Sequence, residues 1–422
     1  MPLRFVHAAD LHLDSPFLGL SASAPTHVAN ALLNATFAAY DNIIELCQAR
    51  GVEAILVAGD VYDGADRSLR AQRHFYDGLQ RLSDAGIRSF VCHGNHDHLG
   101  GWEANLDAPT LCHRFGASVE SVPFDPADPA RGAVYGVSYP RQDVRENLAA
   151  TFARSDSSRL AIGLLHANVG DIGGYQNYAP CTVADLTASG MDYWALGHVH
   201  TRQVLRDSAP VVAYPGNPQG RHPYEPGPRG VYVVELADSG EAALELVDTA
   251  AVHWARLPIL IDRFDREQAL IDAAHEAIEA ALCSAEGRPL VARIEFTGRG
   301  PMHTPLHRNG FADDLRDQLN ESWSNPAPFA WCERVRLKTA PAFERERYIV
   351  GQDFLADVLH LIDDIAGDDE QLAMLRSPLQ PLFAHDRVKR YLRDAVPDND
   401  ELRTLLREAE SLCMEQLVRE EA

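Results

Sequence analysis

Lysine is nearly absent: Lys338 and Lys389 are the only two in 422 residues. Positive charge as a whole is scarce, with 38 Lys and Arg against 61 Asp and Glu for a net charge of -23. A polyanion of that strength repels another at long range, which excludes nonspecific binding of nucleic acid over the whole surface. Residues 351–422 are the most acidic stretch, with 8 basic and 17 acidic side chains. No apolar run approaches the roughly 18 residues of a membrane span, and the opening Met1-Pro2-Leu3-Arg4-Phe5-Val6 reads as a strand instead of a signal core. The 7 cysteines are scattered and show no CxxC spacing, so neither a disulfide framework nor a zinc ribbon is expected. Reduced thiols and a cytoplasmic location follow. A hydrophobic share of 46% excludes disorder as the dominant state and is enough for two or three packed domains.

In the first half, apolar strands end in turns with polar residues and alternate with helices. Strands are expected over 3–9, 54–58 and 87–92, helices over 25–50 and 68–85, and further short strands over 133–137, 160–165 and 193–196. That alternation predicts an α/β layered fold. After Gly197 the helices give way to close strands over 203–206, 211–214, 231–236 and 243–247, the pattern of a sheet completed by antiparallel hairpins. A small β-α-β-α-β unit is predicted next: strand 254–261, helix 266–284, strand 290–296, helix 311–322, strand 330–337. Beyond Pro341 the chain reads as helical, with Phe354, Leu355, Val358, Leu359, Ile362 and Ile365 at helical spacing and further helices over 386–394 and 399–419. The expected domains are therefore 1–250, 251–340 and 341–422.

Metal-competent side chains gather where those strands end: Asp10-Leu11-His12, Gly59-Asp60, Gly94-Asn95-His96-Asp97, His166 and Gly197-His198-Val199-His200. In open α/β sheets, ligands bind outside the carboxyl ends of strands, because the loops converge there. Alternate residues of an extended segment project to one side, so Asp10 with His12, and His198 with His200, can act together. Each segment alone has an ordinary explanation: an aspartate caps a helix, Gly-Asp makes a turn, a histidine sits satisfied in a core. All five in order at the strand ends of one domain are not explained that way.

Written as DLH, GDVYD, GNHD, LLHAN and GHVH, these segments resemble as a set the motifs of the calcineurin-like metallophosphoesterases, over residues 1–236. The resemblance implies a layered core of mixed β-sheets flanked by helices, followed by a small α/β capping domain and a helical tail. It also implies two divalent ions: Asp60 bridges them, Asp10, His12 and His200 complete one site, and Asn95, His166 and His198 complete the other. Mn(II) suits this mixture of carboxylate, carboxamide and imidazole donors, with Fe(II) or Mg(II) as alternatives, and no thiolate speaks for a softer ion. By the same analogy His96 acts at the scissile phosphate as donor to the leaving oxygen or stabiliser of the transition state, with Asp97 orienting its ring.

Two further stretches narrow the family. Ala9 to Phe17 and Tyr214-Pro215-Gly216-Asn217-Pro218-Gln219-Gly220-Arg221-His222 resemble the SbcD/YhaO group of bacterial DNA repair exonucleases, the first stretch its YhaO branch. The expected function is thus hydrolysis of DNA phosphodiesters, with 3′-to-5′ exonuclease activity on duplex ends. The alternatives are a phosphodiesterase or phosphatase of small nucleotides, or a scaffold that keeps the fold without catalysis. Arg221 and His222 are candidate contacts to a DNA phosphate, unless their loop is only a turn between strands. The implied partners are DNA and an SbcC/YhaN-type coiled-coil ATPase engaged by the terminal helices, unless those helices pack on the body of their own chain, with a second copy of the chain as a further candidate and no membrane. Where many relatives have a histidine three residues after the bridging aspartate, this chain has Asp63, which leaves the exonuclease-to-endonuclease balance open. Arg334, Arg336 and Lys338 alternate on one predicted strand and make the one candidate basic face, unless that face is only a solvated strand edge. The acidic balance is compatible with DNA if the cations offset the acidic ligands and the ATPase supplies most of the grip.

Overall fold

Leu3, Phe5 and Val6 give the start of the chain its apolar character, and the computed structural model folds it as strand β1 (Leu3–Ala8), buried apart from Arg4. The structure describes residues 2–15, 17, 24–64, 68–154, 158–325, 327–342, 345–351, 353–384 and 398–420. Helix α1 (Thr26–Arg50), strand β2 (Ala54–Ala58), helix α2 (Leu69–Asp84) and strand β3 (Arg88–Cys92) follow. Helix α1 stops at Gly51, whose φ of 56° is left-handed, and α2 starts at Ser68, whose side chain accepts from Ala71 N. Strands β4 (Cys112–Arg114), β5 (Glu120–Pro123), β6 (Gly132–Gly136) and β7 (Leu160–His166), the short helix α3 (Val183–Ala188) and strands β8 (Tyr193–Gly197), β9 (Gln203–Arg206), β10 (Val211–Tyr214), β11 (Gly230–Leu236) and β12 (Ala242–Asp248) complete this part.

The strands make two mixed sheets, ordered β12-β11-β1-β2-β3-β4 and β5-β6-β7-β8-β10-β9. Neighbours from β1 to β4 are parallel, as are β6, β7, β8 and β10, whereas β1–β11, β11–β12, β5–β6 and β9–β10 are antiparallel. Side-chain alternation sets the layers. Phe5, Leu56 and Phe90 of the first sheet pack on Val134, Ile162, Leu164 and Tyr193 of the second. The opposite residues, Val6, Ile55, Val57 and Val91, face Tyr40, Ile44, Phe75 and Leu79 of the two long helices. The other face of the second sheet, including Tyr135, Leu165 and Trp194, packs on Phe152 and Leu186. The expected α/β layered core is thus a pair of stacked sheets between helices. The two hairpins predicted after Gly197 are present, but each completes a different sheet.

The chain divides into two compact units, Met1–Arg256 with Glu279–Ala292 and Asn320–Glu333, and Leu257–Ile278 with Arg293–Leu319 and Arg334–Ala422. A three-stranded sheet in the order β13 (His253–Leu260), β14 (Leu290–Gly300), β15 (Ala330–Pro341) accompanies helices α4 (Glu267–Ser284), α5 (His303–Leu306) and α6 (Phe311–Trp323). Helix α4 buries Leu270, Ala274 and Ile278, and α6 buries Leu315 and Leu319. On β15, Lys338 Nζ lies 3.3 Å and Arg336 Nη1 4.0 Å from the buried Glu295 carboxylate, so the expected basic face is partly neutralised by its own sheet. The tail comprises α7 (Arg345–Ile349), α8 (Phe354–Gly367), α9 (Asp369–Ala384) and α10 (Asn399–Glu420). The helix expected over 386–394, and Pro16 of the opening motif, lie outside the described residues. No helix among the described residues is long and apolar enough to cross a membrane.

Candidate metal centre

Strands β1, β2, β3, β7 and β8 end at one rim, and the loops leaving them bring Asp10, His12, Asp60, Asn95, His96, His166, His198 and His200 together. Backbone hydrogen bonds tie the first two loops: Asp10 N donates to Gly59 O at 3.1 Å and His12 N to Asp60 O at 3.0 Å. The loops are strained. Asp10, His12, Asp60 and His198 have φ of 53°, 43°, 49° and 103°, a region that side-chain-bearing residues rarely occupy and that costs about 1–3 kcal/mol each. Two motif glycines are needed because nothing larger fits. A Cβ on Gly94 would meet Asp60 Oδ1 at 2.4 Å and His166 Nε2 at 2.7 Å, and one on Gly197 would meet Ala58 O at 1.7 Å.

Hydrogen bonds on the outer nitrogens fix which way each imidazole presents its lone pair. His200 Nδ1 lies 2.8 Å from Glu225 Oε1, and His12 Nδ1 lies 2.9 Å from Asp63 Oδ1. A carboxylate only accepts, so His200 Nδ1 carries the proton, whereas His12 Nδ1 meets Asp63 at ion-pair distance without hydrogen-bond geometry. The two Nε2 atoms face each other, 3.1 Å apart. His166 repeats the pattern: Nδ1 donates to Ala58 O at 3.0 Å, and Nε2 faces Asn95 Oδ1 at 3.1 Å and Asp60 Oδ2 at 3.4 Å. Acceptors that converge on acceptors fit a cation, and the residues present therefore fit the divalent ions of a metallophosphoesterase.

Ligand atoms of Asp10, His12 and His200 all lie within 4.8 Å of one another, as do those of Asp10, Asp60 and His166. Asp60 Oδ2 stands between the two sets, 3.9 Å from His12 Nε2 and 3.4 Å from His166 Nε2. His198 joins less directly: its ring centroid is 5.1 Å from that of His166, its Nε2 lies 2.7 Å from Gln176 O, and its backbone N–H donates to both oxygens of Asp10 at 3.1 Å.

The electrostatics show how unevenly the charge is balanced. Burial pushes the Asp10 carboxyl up to about 6, against the pull of His166. Burial also disfavours the Asp60 carboxylate, but the surrounding imidazoles, His166 first, outweigh it and hold Asp60 well below the usual carboxylate range. His166 is the converse: burial opposes its charge, yet Asp60 raises it to about 9. Burial lowers His12 and His198 to about 3. A proton on His166 is thus this pocket's own answer to the acidic ligands when no other cation is bound.

Asp97 is fully buried in the turn after β3. It accepts from His93 Nδ1 at 2.9 Å, Gly94 N at 2.7 Å, Asp60 N at 3.2 Å and Val61 N at 2.9 Å, so its contacts brace the turn and the Asp60 loop. The carboxylate beside the His96 ring is that of Asp63, at 3.8 Å from Nδ1. Arg221 points inward: Nη1 donates to Asp63 Oδ1 at 2.8 Å and to Ser15 Oγ at 3.0 Å. His222 is half-exposed, 3.4 Å from Glu225 Oε1.

Sequence reasoning missed Glu225 and His93 as supporting residues and noted Asp63 only as a departure. Glu225 is buried and accepts from His200, Asn217 Nδ2 at 3.0 Å and Arg221 N at 2.8 Å. No local pattern marks it, because the partner that matters lies 25 residues away.

Residues 3–202 match the calcineurin-like phosphoesterase family, and residues 254–340 match the middle domain of metallophosphoesterase YhaO. The uncharacterized metallophosphoesterase YhaO of Bacillus subtilis is 36% identical over 338 residues, 80% of this chain and 82% of that protein. The SbcD component of nuclease SbcCD from the same organism is 25% identical over 288 residues, 58% of this chain and 69% of that one. The DNA double-strand break repair protein Mre11 of Aeropyrum pernix is 28% identical over 226 residues, covering 50% of this chain and 53% of its own.

Proposed function

We propose, for a chain that belongs to the calcineurin-like metallophosphoesterases and within them to the YhaO family, that it is a DNA nuclease of the cytoplasm. Its reaction is hydrolysis of DNA phosphodiesters, 3′-to-5′ from duplex ends. The observation that carries the reading is the convergence of imidazole and carboxamide acceptors on Asp60. A scaffold without catalysis has no need of buried lone pairs aimed at one another. The relatives SbcD, of nuclease SbcCD, and Mre11 support DNA as substrate over small nucleotides. Residues 1–250 form the nuclease domain and 251–340 the cap. Tail 341–422 engages an SbcC/YhaN-type ATPase, which supplies the duplex grip that a chain of net charge -23 lacks.

Asp10, His12, Asp60 and His200 would hold one ion and Asp60, Asn95, His166 and His198 the other, with Mn(II) the ion these donors suit. When bound, the ions supply Lewis acidity toward the phosphate and lower the pKa of the attacking water. The chain's residues do the rest. Glu225 keeps His200 in the tautomer that presents Nε2 inward, and Asp63 stands at ion-pair distance from His12 Nδ1. Asp97 holds the Asp60 loop by its backbone. His96, whose side chain is 40% exposed at the mouth of the site, delivers a proton to the leaving oxygen. Arg221 and His222 contact phosphate on the incoming strand.

The test is digestion of end-labelled hairpin, duplex and single-stranded DNA with Mn(II), with and without the ATPase. Duplex shortened from its 3′ ends is expected; cyclic nucleotides cleaved while DNA stays intact would replace the nuclease reading by the small-nucleotide one. His96→Asn is expected to keep both ions and lose about a hundred- to ten-thousand-fold in turnover.

A further inference from the structure

A cation taken out of water is costly unless an anion answers it. Two arginines approach His200. Arg221 comes to its ring, Nη2 lying 3.5 Å from Nδ1, and has its anion in Asp63. Arg229 comes to the carbonyl of the same residue and has none.

The sequence sets Arg229 in place. In Pro226-Gly227-Pro228-Arg229-Gly230 the two prolines fix φ, and Gly227, at a left-handed φ of 80°, donates its N–H to Trp254 O at 3.0 Å. Arg229 O accepts from Thr249 N at 2.8 Å and Ala250 N at 3.2 Å, which ties the loop to the chain just after β12. From that base the half-buried side chain reaches inward: Nη1 donates to His200 O and Asn217 Oδ1, and Nε to Glu225 O at 3.3 Å. All three acceptors are neutral. The Glu225 carboxylate is taken by His200 Nδ1, Asn217 Nδ2 and Arg221 N. Among the described residues Arg229 Nη2 meets no acceptor, and neither Arg229 nor the exposed Arg202 makes an ion pair.

Both arginines line one cavity of about 170 Å³, with Thr201 and the flat faces of Pro215, Pro226 and Pro228. Sites for whole small molecules start at about 300 Å³, so this one takes a single compact group. Two guanidiniums and no carboxylate in the lining select an anion, and phosphate is the compact anion that paired arginines grip best. The cavity is joined to the metal centre through His200. A Cβ on Gly216 would meet His200 O at 2.6 Å and Arg202 N at 3.0 Å, and Asn217 N donates to His200 O at 3.3 Å. The imidazole of His200 faces the ligand set while its carbonyl faces Arg229.

We propose that Arg202 and Arg229 hold a second phosphate of the substrate strand, the neighbour of the one at the metal centre, so that the substrate class is an oligonucleotide and not an isolated phosphodiester. The inference rests on the nuclease reading. Only His200 separates the two positions, which is why the adjacent phosphate, and not a distant one, is the one held. No bond changes at this site; it binds the strand and sets its register. The terminal phosphate of a released nucleotide offers the same chemistry, and the experiment separates the two sources.

Wild type, Arg202→Ala, Arg202→Lys and Arg229→Gln are compared as full chains with Mn(II) on a thymidine dinucleotide, which has one phosphate, and on the trinucleotide, which has two. Metal content is measured for each. The second phosphate should raise kcat/KM of wild type about ten-fold, the worth of one charge-assisted contact. Arg202→Ala should lose that gain, and Arg202→Lys, which keeps the charge, should retain most of it. A second readout needs no turnover: the anisotropy of a labelled short single strand on the metal-free chain, followed over a range of salt. Arg202→Ala should flatten the slope of log affinity against log salt by about 0.7, the share of one phosphate, and Arg229→Gln should flatten it too. An unchanged slope, or a gain that Arg202→Ala retains, would overturn the proposal. Thymidine 5′-monophosphate that inhibits wild type more than Arg202→Ala while the trinucleotide gain stays equal would give the site to released nucleotide and overturn the strand assignment. If wild type cleaves neither the oligonucleotides nor duplex DNA, the nuclease reading falls, and the salt slope still decides whether these arginines grip a strand.

Discussion

Two clusters of charge in this molecule look alike in composition and differ in balance. In the tail, Arg345 and Arg407 each reach both Asp363 and Glu410, at 2.7 to 3.0 Å, so two cations meet two anions and the square closes on itself. At the rim of the stacked sheets, Asp10 and Asp60 are surrounded by imidazoles, those of His166 and His200 with their protons pointing outward and their lone pairs in. The first cluster needs nothing further and holds helices together. The second turns acceptors toward a space that fits a cation, and it is built on left-handed backbone that a purely structural cluster would not require.

That contrast breaks most visibly at Asp60. Asp60→Asn removes the carboxylate between the two ligand sets, and Mn(II)-dependent hydrolysis of bis-p-nitrophenyl phosphate should fall by several kcal/mol of transition-state stabilisation, about a thousand-fold or more. A Glu225→Gln protein, titrated with Mn(II) by calorimetry, should bind about ten- to a hundred-fold more weakly, because the partner that fixes the His200 tautomer is gone. Unchanged affinity would show that Glu225 only packs.

Acidity sharpens the comparison further. His166 is raised from 6.5 to about 9 in the fold. Its stabilising contribution to the metal-free protein is therefore fully present below 6.5 and is lost as pH rises through about 9. A divalent ion held by His166 would take the place of that proton, so the gain in melting temperature on adding Mn(II) should widen between pH 7 and 9, by about 2–4 °C for each kcal/mol. Scanning calorimetry at three pH values decides it; a gap that narrows would mean that His166 does not ligate. The smallest effect is expected in the tail: Arg407→Ala opens the closed square at a half-exposed position, costs no more than about 1 kcal/mol, and leaves phosphodiester turnover as it was.

What could be read beforehand followed from local pattern. Strand β2 is a five-residue apolar run between Glu53 and Gly59-Asp60, and its limits were legible to the residue. Strands β4 and β5 were not: Cys112-His113-Arg114 and Glu120-Ser121-Val122-Pro123 are short, half-buried edge segments with no apolar alternation. Helix α3 was missed although Thr182 and Asp185 form a capping box, because six residues give no periodicity to count. The ligand-bearing segments stood out because each pairs a motif with a strand end. The supports did not: Glu225 on His200, Asp63 beneath Arg221, and His93 on Asp97 are chosen by how the loops meet in space.

Gly197, with no room for even one carbon before Ala58 O, marks where the end of a strand in one sheet abuts the end of a strand in the other. The spacing between the two halves of the donor set is thereby a dimension of the scaffold, like the gap of a fixed caliper. It cannot widen to take a bulkier ion or a differently sized transition state without parting the sheets, so adaptation to new substrates is left to the loops above the rim.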